Sequence, residues 1–286
     1  MKGIIIKGIG GFYYVKTADG QVTECRARGI FRKNGIKPTV GDNVEIENAS
    51  VVKIYDRRSY LIRPSVANID NLIIVIAAAN PAPDLLLTDK LTVAAEVSGI
   101  TPVICINKTD LADAAEIEKV YKMAGYEVIT ASATELVGAK ALREVIKGKI
   151  SAFAGLSGVG KSSILNILSN ENAQTGEISR INRGKHTTRH VELFEIDKDT
   201  FVLDTPGFSS LALSDICDVK ANELAEYYPE FADSTNACRF KGCSHINEPD
   251  CAVKMLVSEG KAAKSRYDSY KELYEQLKQI KEWEKD

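Results

Sequence analysis

Residues 155–162 read GLSGVGKS. The pattern is G-x-x-x-x-G-K-S; the apolar stretch ISAFAG (150–155) runs into it, and a segment of helical character (161–168) begins at its lysine. Strand, glycine-rich turn and helix in that order form a phosphate-binding loop. Successive backbone N–H groups curl around anionic phosphates at a helix N-terminus. Gly155 and Gly160 allow backbone angles that a side chain forbids. The run Gly155, Leu156, Ser157, Gly158, Val159, Gly160, Lys161, Ser162 and Ser163 is expected to line the phosphates of a nucleotide. Lys161 is expected to reach the β- and γ-phosphates, and the Ser162 hydroxyl to bind Mg²⁺.

Outward from this loop, strand and helix patterns alternate. LIIVIAAA (72–79) is a continuous apolar run, as expected of a strand buried on both faces. A helix is expected over 84–98, then a strand at 102–106, a helix near 112–124, a strand at 126–130 and a helix near 139–146. Such alternation predicts a parallel sheet with helices on both faces. After the loop, 170–190 is polar and lacks apolar periodicity, and it reads as a mobile loop. VELFEI (191–196) and TFVLDT (200–205) read as a hairpin ending at D-T-P-G.

Three further motifs fit one purine nucleoside triphosphate. NKTD (107–110) ends an apolar strand, where α/β sheets bind ligands. The Asp110 carboxylate can accept from guanine N1–H and the exocyclic amine. Adenine lacks that donor pair and would leave the carboxylate unpaired, at about 1–3 kcal/mol or more. Asn107 and Lys108 are expected to pack on the base and brace the loops, with Thr109 between them and Asp110. Ser132 and Ala133, after the next strand, fit a backbone contact to guanine O6. In D-T-P-G (204–207), Asp204 is expected to hold Mg²⁺ through water, and the Gly207 N–H to meet the γ-phosphate. The stretch Gly184-Lys185-His186-Thr187-Thr188 reads as a first switch, in which Thr187 or Thr188 closes on Mg²⁺. Phe208 stands where many GTPases carry a water-orienting glutamine, and a phenyl ring cannot orient water. Slow intrinsic turnover is therefore expected, with His186 as the local candidate for catalysis.

The flanks differ from this centre. Residues 1–64 hold twelve Lys/Arg against six Asp/Glu, whereas the remaining residues hold 25 against 33. A basic module on an acidic body suits contact with nucleic acid. Short β-rich stretches at 3–7, 11–17, 21–27 and 43–49, separated by glycine turns, predict about five strands and an OB-fold barrel. Near the other end, Cys238-x4-Cys243-x-His245-x5-Cys251 offers three thiolates and an imidazole, a set suited to one structural, tetrahedral Zn²⁺. Tyr267, Tyr270, Leu273, Tyr274, Leu277 and Ile280 recur at helical spacing and predict an amphipathic helix. No apolar run reaches membrane-spanning length, and MKGIIIKGIGG lacks a signal-peptide core, so a cytoplasmic protein with no membrane partner is expected.

In ordinary GTPases N-K-x-D follows the phosphate loop; here it precedes it. The order NKTD, SA, GLSGVGKS, HTT, DTPG, with a basic barrel before and a Cys-Cys-His-Cys cluster after, resembles the RsgA/YjeQ family of circularly permuted, ribosome small-subunit-dependent GTPases. GIFRKNGIKPTVGD (29–42) and RRSYLIRP (57–64) resemble further patterns of that family, whereas GKHTTR differs from its usual GRHTTT. The resemblance implies a multi-domain chain: an OB-fold RNA-binding domain (1–64), a permuted α/β P-loop GTPase domain (65–219) and a helical zinc-binding domain (220–286). It implies GTP hydrolysis in late maturation of the small (30S) subunit, stimulated by that subunit, with rRNA contacted by the outer domains. GTP and GDP, Mg²⁺ and one Zn²⁺ are the expected ligands, and a monomer is expected. The alternative is an RNA-binding assembly adaptor whose hydrolysis is incidental. A P-loop kinase using ATP is disfavoured by Asp110.

Overall fold

The computed structural model describes residues 1–33, 35–170, 191–204 and 212–279, with backbone alone at Arg32, Asn170 and Asp204. Strands β1 (Lys2–Ile9), β2 (Phe12–Thr17), β3 (Val22–Ala27), β4 (Asn43–Glu47) and β5 (Ser50–Ile54) close into a barrel of order β1-β2-β3-β5-β4. β3 and β5 pair in parallel and the other neighbours antiparallel. This is the expected OB-like barrel. Its interior is filled by Ile5, Val15, Cys25, Val44, Ile46 and Val51, contributed by alternate positions of the strands. The short helix α1 (Gly29–Lys33) lies between β3 and β4. The barrel's exit is sealed by a bidentate pair: Arg57 Nε and Nη2 donate to the fully buried Asp42 at 2.7 and 2.9 Å.

A two-stranded ribbon of β6 (Tyr60–Leu61) and β7 (Val66–Ala67) leads into the central sheet. That sheet comprises β8 (Asn71–Ala77), β9 (Thr101–Asn107), β10 (Glu127–Thr130), β11 (Ile150–Ala154), β12 (Phe194–Asp197) and β13 (Thr200–Asp204). Its order is β10-β9-β8-β11-β13-β12, all parallel except the edge hairpin β12–β13. Every residue of β8 is buried, because the strand feeds two cores by turns. Leu72, Ile74 and Ile76 face one layer; Ile73, Val75 and Ala77 face the other. The first layer holds α2 (Leu85–Val97) and α3 (Ala115–Met123). The second holds α4 (Ala139–Ile146) and α5 (Lys161–Asn170). Each fully buried aliphatic side chain of this kind contributes about 1.5–3 kcal/mol of transfer free energy.

α2 is buried on most sides, Thr88, Asp89 and Thr92 included, because a second helix covers its outer face. That helix is α9 (Lys264–Gln279), the expected amphipathic helix, which buries Tyr270, Leu273 and Leu277; Ile280 lies outside the described residues. Between α6 (Leu213–Ile216) and α9 the chain forms a helical lobe: 3-10 segments over Ala221–Tyr227 and Pro229–Phe231, then α7 (Ala232–Thr235) and α8 (Ala252–Ser258). Among the described residues no helix is long and apolar enough to cross a membrane.

The lobe is locked to the sheet's helices by a buried cation. Arg266 of α9 has no exposed surface. Its Nη1 donates to Asp89 Oδ1 of α2 at 2.8 Å and to Thr92 Oγ1 at 3.1 Å, and its Nε donates to Glu230 Oε1 at 2.7 Å. Tyr121 of α3 donates a second hydrogen bond to the same Asp89 oxygen, at 3.0 Å. The guanidinium also lies 4.7 Å from the Tyr228 ring centroid and 5.2 Å from that of Tyr126. Two desolvated carboxylates thus depend on one guanidinium, and removing it leaves both uncompensated. Arg266→Met is expected to lower the unfolding free energy by about 3–5 kcal/mol in urea titration; a loss below about 1 kcal/mol would contradict this reading of the interface.

Candidate functional site

The expected nucleotide motifs meet at one edge of the central sheet, where the parallel strands end. Asn107 is the last residue of β9, Gly155 follows β11, and Ala131–Ser132 follow β10. Asp204 ends β13 with its backbone beside Phe153, two residues before the glycine-rich turn. This is the carboxyl edge at which open α/β sheets bind ligands.

The glycine-rich turn is shaped by close approach. Gly155 has φ 138° and Gly160 φ 97°, both outside the range that side chains favour. A Cβ on Gly155 would run into the Val75 carbonyl oxygen of β8, and one on Gly160 into the Asn107 side-chain amide. Both glycines are therefore required twice, by torsion and by space. Val159 plugs the turn into the core at 2% exposure, while Ser157, Gly158, Ser162 and Ser163 face outward. Leu156 is half-buried against the core, and Lys161 donates from Nζ to the carbonyls of Gly155 and Leu156, both at 2.8 Å. Helix α5 starts at Lys161, so its first N–H groups open toward the turn.

Asn107 is the joint between the two halves of the site. It is 1% exposed. Its Nδ2 donates to the Val159 carbonyl at 2.8 Å, and its Oδ1 accepts from the Ala133 N–H at 3.2 Å. One amide thereby holds the glycine-rich turn and the loop after β10 to the end of β9. Thr109 adds two bonds to the Ala131 carbonyl, from N at 3.2 Å and Oγ1 at 3.0 Å. Asp110 is exposed, and its Oδ1 accepts from the buried Ser132 hydroxyl at 2.7 Å. The carboxylate is aimed yet open on its remaining lone pairs, as a reader of paired donors must be. The backbone N–H groups of Ser132 and Ala133, expected on guanine O6, donate to Val137 and Asn107 in this structure. The pair therefore braces Asp110 and Asn107.

Sequence reading did not single out Asn80. Lys108 Nζ donates to its carbonyl, and Pro81 lies 3.9 Å from the position a Cβ on Gly158 would take. The Asn80–Pro81 turn after β8 thus forms a third wall beside the glycine-rich turn, and the N-P dipeptide after an apolar strand was its available signal. His186, Thr187, Thr188, Gly207 and Phe208 lie outside the described residues, as does the side chain of Asp204.

The second site is the Cys/His cluster. Ligand atoms of Cys238, Cys243, His245 and Cys251 all lie within 4.8 Å of one another. Cys238 Sγ is 3.8 Å from Cys251 Sγ, and His245 Nδ1 is 3.4 Å from each. Zn–S bonds of about 2.3 Å in a tetrahedron require S···S separations of about 3.8 Å, so the donor set fits one Zn²⁺. Burial lowers the His245 imidazole below its usual pKa, which favours the neutral, ligating form. Burial also pushes the Cys243 thiol up to about 12, a penalty that a bound dication offsets by displacing the proton. The loop is fixed from outside: Glu248 accepts from Ser244 N at 2.9 Å and Oγ at 2.7 Å, and from Ile246 N at 3.2 Å. Tyr267 and Tyr270 of α9 donate to the His245 and Ser244 carbonyls at 2.7 and 2.8 Å. The tyrosine stripe read as packing therefore also hydrogen-bonds the cluster loop.

Asn107→Ala would leave the Val159 carbonyl and Ala133 N–H without their partner and free the glycine-rich turn to move. GTP affinity measured by calorimetry is expected to fall by about tenfold to a hundredfold, and an unchanged affinity would contradict the bracing role.

Comparison with known proteins agrees with this fold. The family model described as RsgA GTPase matches residues 54–214, and that described as RsgA N-terminal domain matches residues 2–52. A model described as 50S ribosome-binding GTPase matches residues 150–285. A small ribosomal subunit biogenesis GTPase RsgA from Ruminiclostridium cellulolyticum is 46% identical over 98% of this chain and 95% of its own length. Its counterpart from Alkaliphilus metalliredigens is 45% identical over 97% and 98%. Among solved structures, YjeQ from Thermotoga maritima superposes with a TM-score of 0.82 at 34% identity, covering 98% of this chain and 99% of that one. YloQ, described as a circularly permuted GTPase, superposes with a TM-score of 0.78 at 36% identity, covering 98% and 96%. With relatives matched over nearly their whole length, matching barrel and GTPase models and a G-x-x-x-x-G-K-S segment that follows N-K-T-D, the chain belongs to the RsgA family of circularly permuted GTPases.

Proposed function

We propose that this GTPase hydrolyses GTP during late maturation of the small ribosomal subunit, that the subunit stimulates turnover, and that rRNA meets the outer modules. The observation that carries the reading is the Asn107 joint, which brings the guanine-type motif and the phosphate loop into one pocket. In this reading 1–64 is the RNA-binding barrel, 65–219 the nucleotide domain and 220–286 the zinc lobe; the chain acts as a cytoplasmic monomer.

The residues divide the work as follows. Asp110 selects guanine through N1–H and the exocyclic amine, and Ser132 holds the carboxylate in place. The N–H groups of 155–163 surround the phosphates. The Lys161 ammonium, satisfied by two carbonyls of the same turn, swings onto the β- and γ-phosphates. Ser162, Asp204 and Thr187 or Thr188 would hold Mg²⁺, which supplies charge neutralisation for the developing phosphate oxygens. Gly207 contributes an N–H to the γ-phosphate. Phe208 cannot orient the attacking water, so the stimulating particle, with His186 as the candidate imidazole of the switch segment, completes the arrangement. Zn²⁺ on Cys238, Cys243, His245 and Cys251 holds the lobe's loop in shape.

Steady-state GTP turnover with purified 30S particles, 50S particles and neither separates the readings. A rise of about tenfold or more with 30S alone is expected. Equal turnover in all three arms favours an adaptor with incidental hydrolysis, to which Phe208 lends support. Stimulation by 50S alone would overturn the small-subunit assignment.

A further inference from the structure

Strand β1 changes partners along its length. Its pairing with β2 slips between Ile5 and Lys7, so Ile6 has no register partner on β2. On the other edge, β4 covers β1 only from Lys2 to Ile4. Ile5 still bonds to Gly41 and Asp42 ahead of β4, and beyond it the residues just before β12 reach the strand. The Leu193 N–H donates to the Ile6 carbonyl at 2.8 Å, and Lys7 and Glu192 form an antiparallel bridge. Leu193 is buried at 3% exposure. Two ion pairs flank this splice: Lys7 Nζ–Glu192 Oε2 at 2.8 Å, and Lys16–Glu195. All four side chains are 21–29% exposed, which places these pairs above open-surface ones in worth. The Lys16 ammonium also sits 5.9 Å from the ring centroid of Phe201 on β13.

The place of this splice gives it consequence. β12 is the edge of the central sheet, and the barrel meets it through the two residues that precede it and through the Lys16–Glu195 pair. β12 pairs with β13, which ends at Asp204 beside β11 and the phosphate loop. We infer that Lys7 and Lys16 of the barrel are positioning residues for the stimulated reaction, holding the β12–β13 hairpin, and with it the Asp204 terminus, in register with the phosphate loop when a partner loads the barrel. The inference rests on the subunit-stimulated reading above. It makes the barrel part of the hydrolytic geometry as well as a surface for RNA.

The test uses the full chain and small subunits at saturation. Lys7→Glu and Glu192→Lys are compared with the swap that carries both. Each single reversal is expected to lower subunit-stimulated turnover by about tenfold, with basal turnover and GTP affinity within about twofold, and the swap is expected to recover most of the loss. The two reversals change the chain's charge in opposite directions, so weakened attraction to RNA cannot explain a loss shared by both. Lys7→Gln removes the attraction without adding repulsion, and a loss of about threefold is expected from it. Full stimulation of the single variants, or a swap no better than either single, overturns the inference. A parent chain that 30S does not stimulate overturns the functional reading, and the inference falls with it.

Discussion

One buried side-chain amide sets the geometry on which the rest depends. Asn107 ends a central strand, and its donor and acceptor both point sideways, to the glycine-rich turn and to the loop after β10. An amide suits this place because it satisfies one carbonyl and one N–H while remaining neutral in the interior. Gly160 lacks a Cβ because that space belongs to Asn107. The segments proposed to read base and phosphate are thereby fixed relative to each other by interior contacts, as a single nucleotide spanning both requires.

That arrangement explains why the rotated motif order costs the fold little. A parallel sheet is assembled by lateral pairing, and β8 lies between β9 and β11 whichever segment comes first. What must be kept is the carboxyl edge, where Asn107, Gly155 and Asp204 converge. The rotation changes what each end of the nucleotide domain is attached to. After β13 the chain runs to the lobe that carries the Cys/His cluster, which returns through α9 and locks onto α2 by Arg266. Before β8 it comes from the barrel, which reaches the opposite edge of the sheet at β12. The nucleotide site is thus held between two modules, one joined to a helix layer and the other to an edge strand.

Much of this was legible in the sequence because it is written in local rules. GLSGVGKS requires its glycines at given torsions, β8 must be apolar throughout to serve two cores, and glycine turns divide the barrel strands. The four metal-cluster residues share a short stretch, so their spacing carries the geometry. Helix α1 escaped because five residues show no helical period, and β5 because its turn, Asn48–Ala49, uses left-handed residues other than glycine. The two interlocks were illegible for a different reason. Arg266 meets Asp89 across 177 positions and Lys7 meets Glu192 across 185, and no local pattern pairs charges at such separations. Tyr267 and Tyr270 gave a true apolar period, but their hydroxyls serve carbonyls that periodicity cannot see.

The central claim is that Asp110 reads the purine in the same pocket where Lys161 meets the phosphates. Xanthine carries a C2 carbonyl where guanine carries an amine, so an amide at position 110 should reverse the preference. Titration of the Asp110→Asn variant with GTP and with xanthosine triphosphate is the most direct measurement. GTP affinity should fall by about a hundredfold while xanthosine triphosphate gains by a similar factor. Undiminished GTP affinity in that variant would contradict the account.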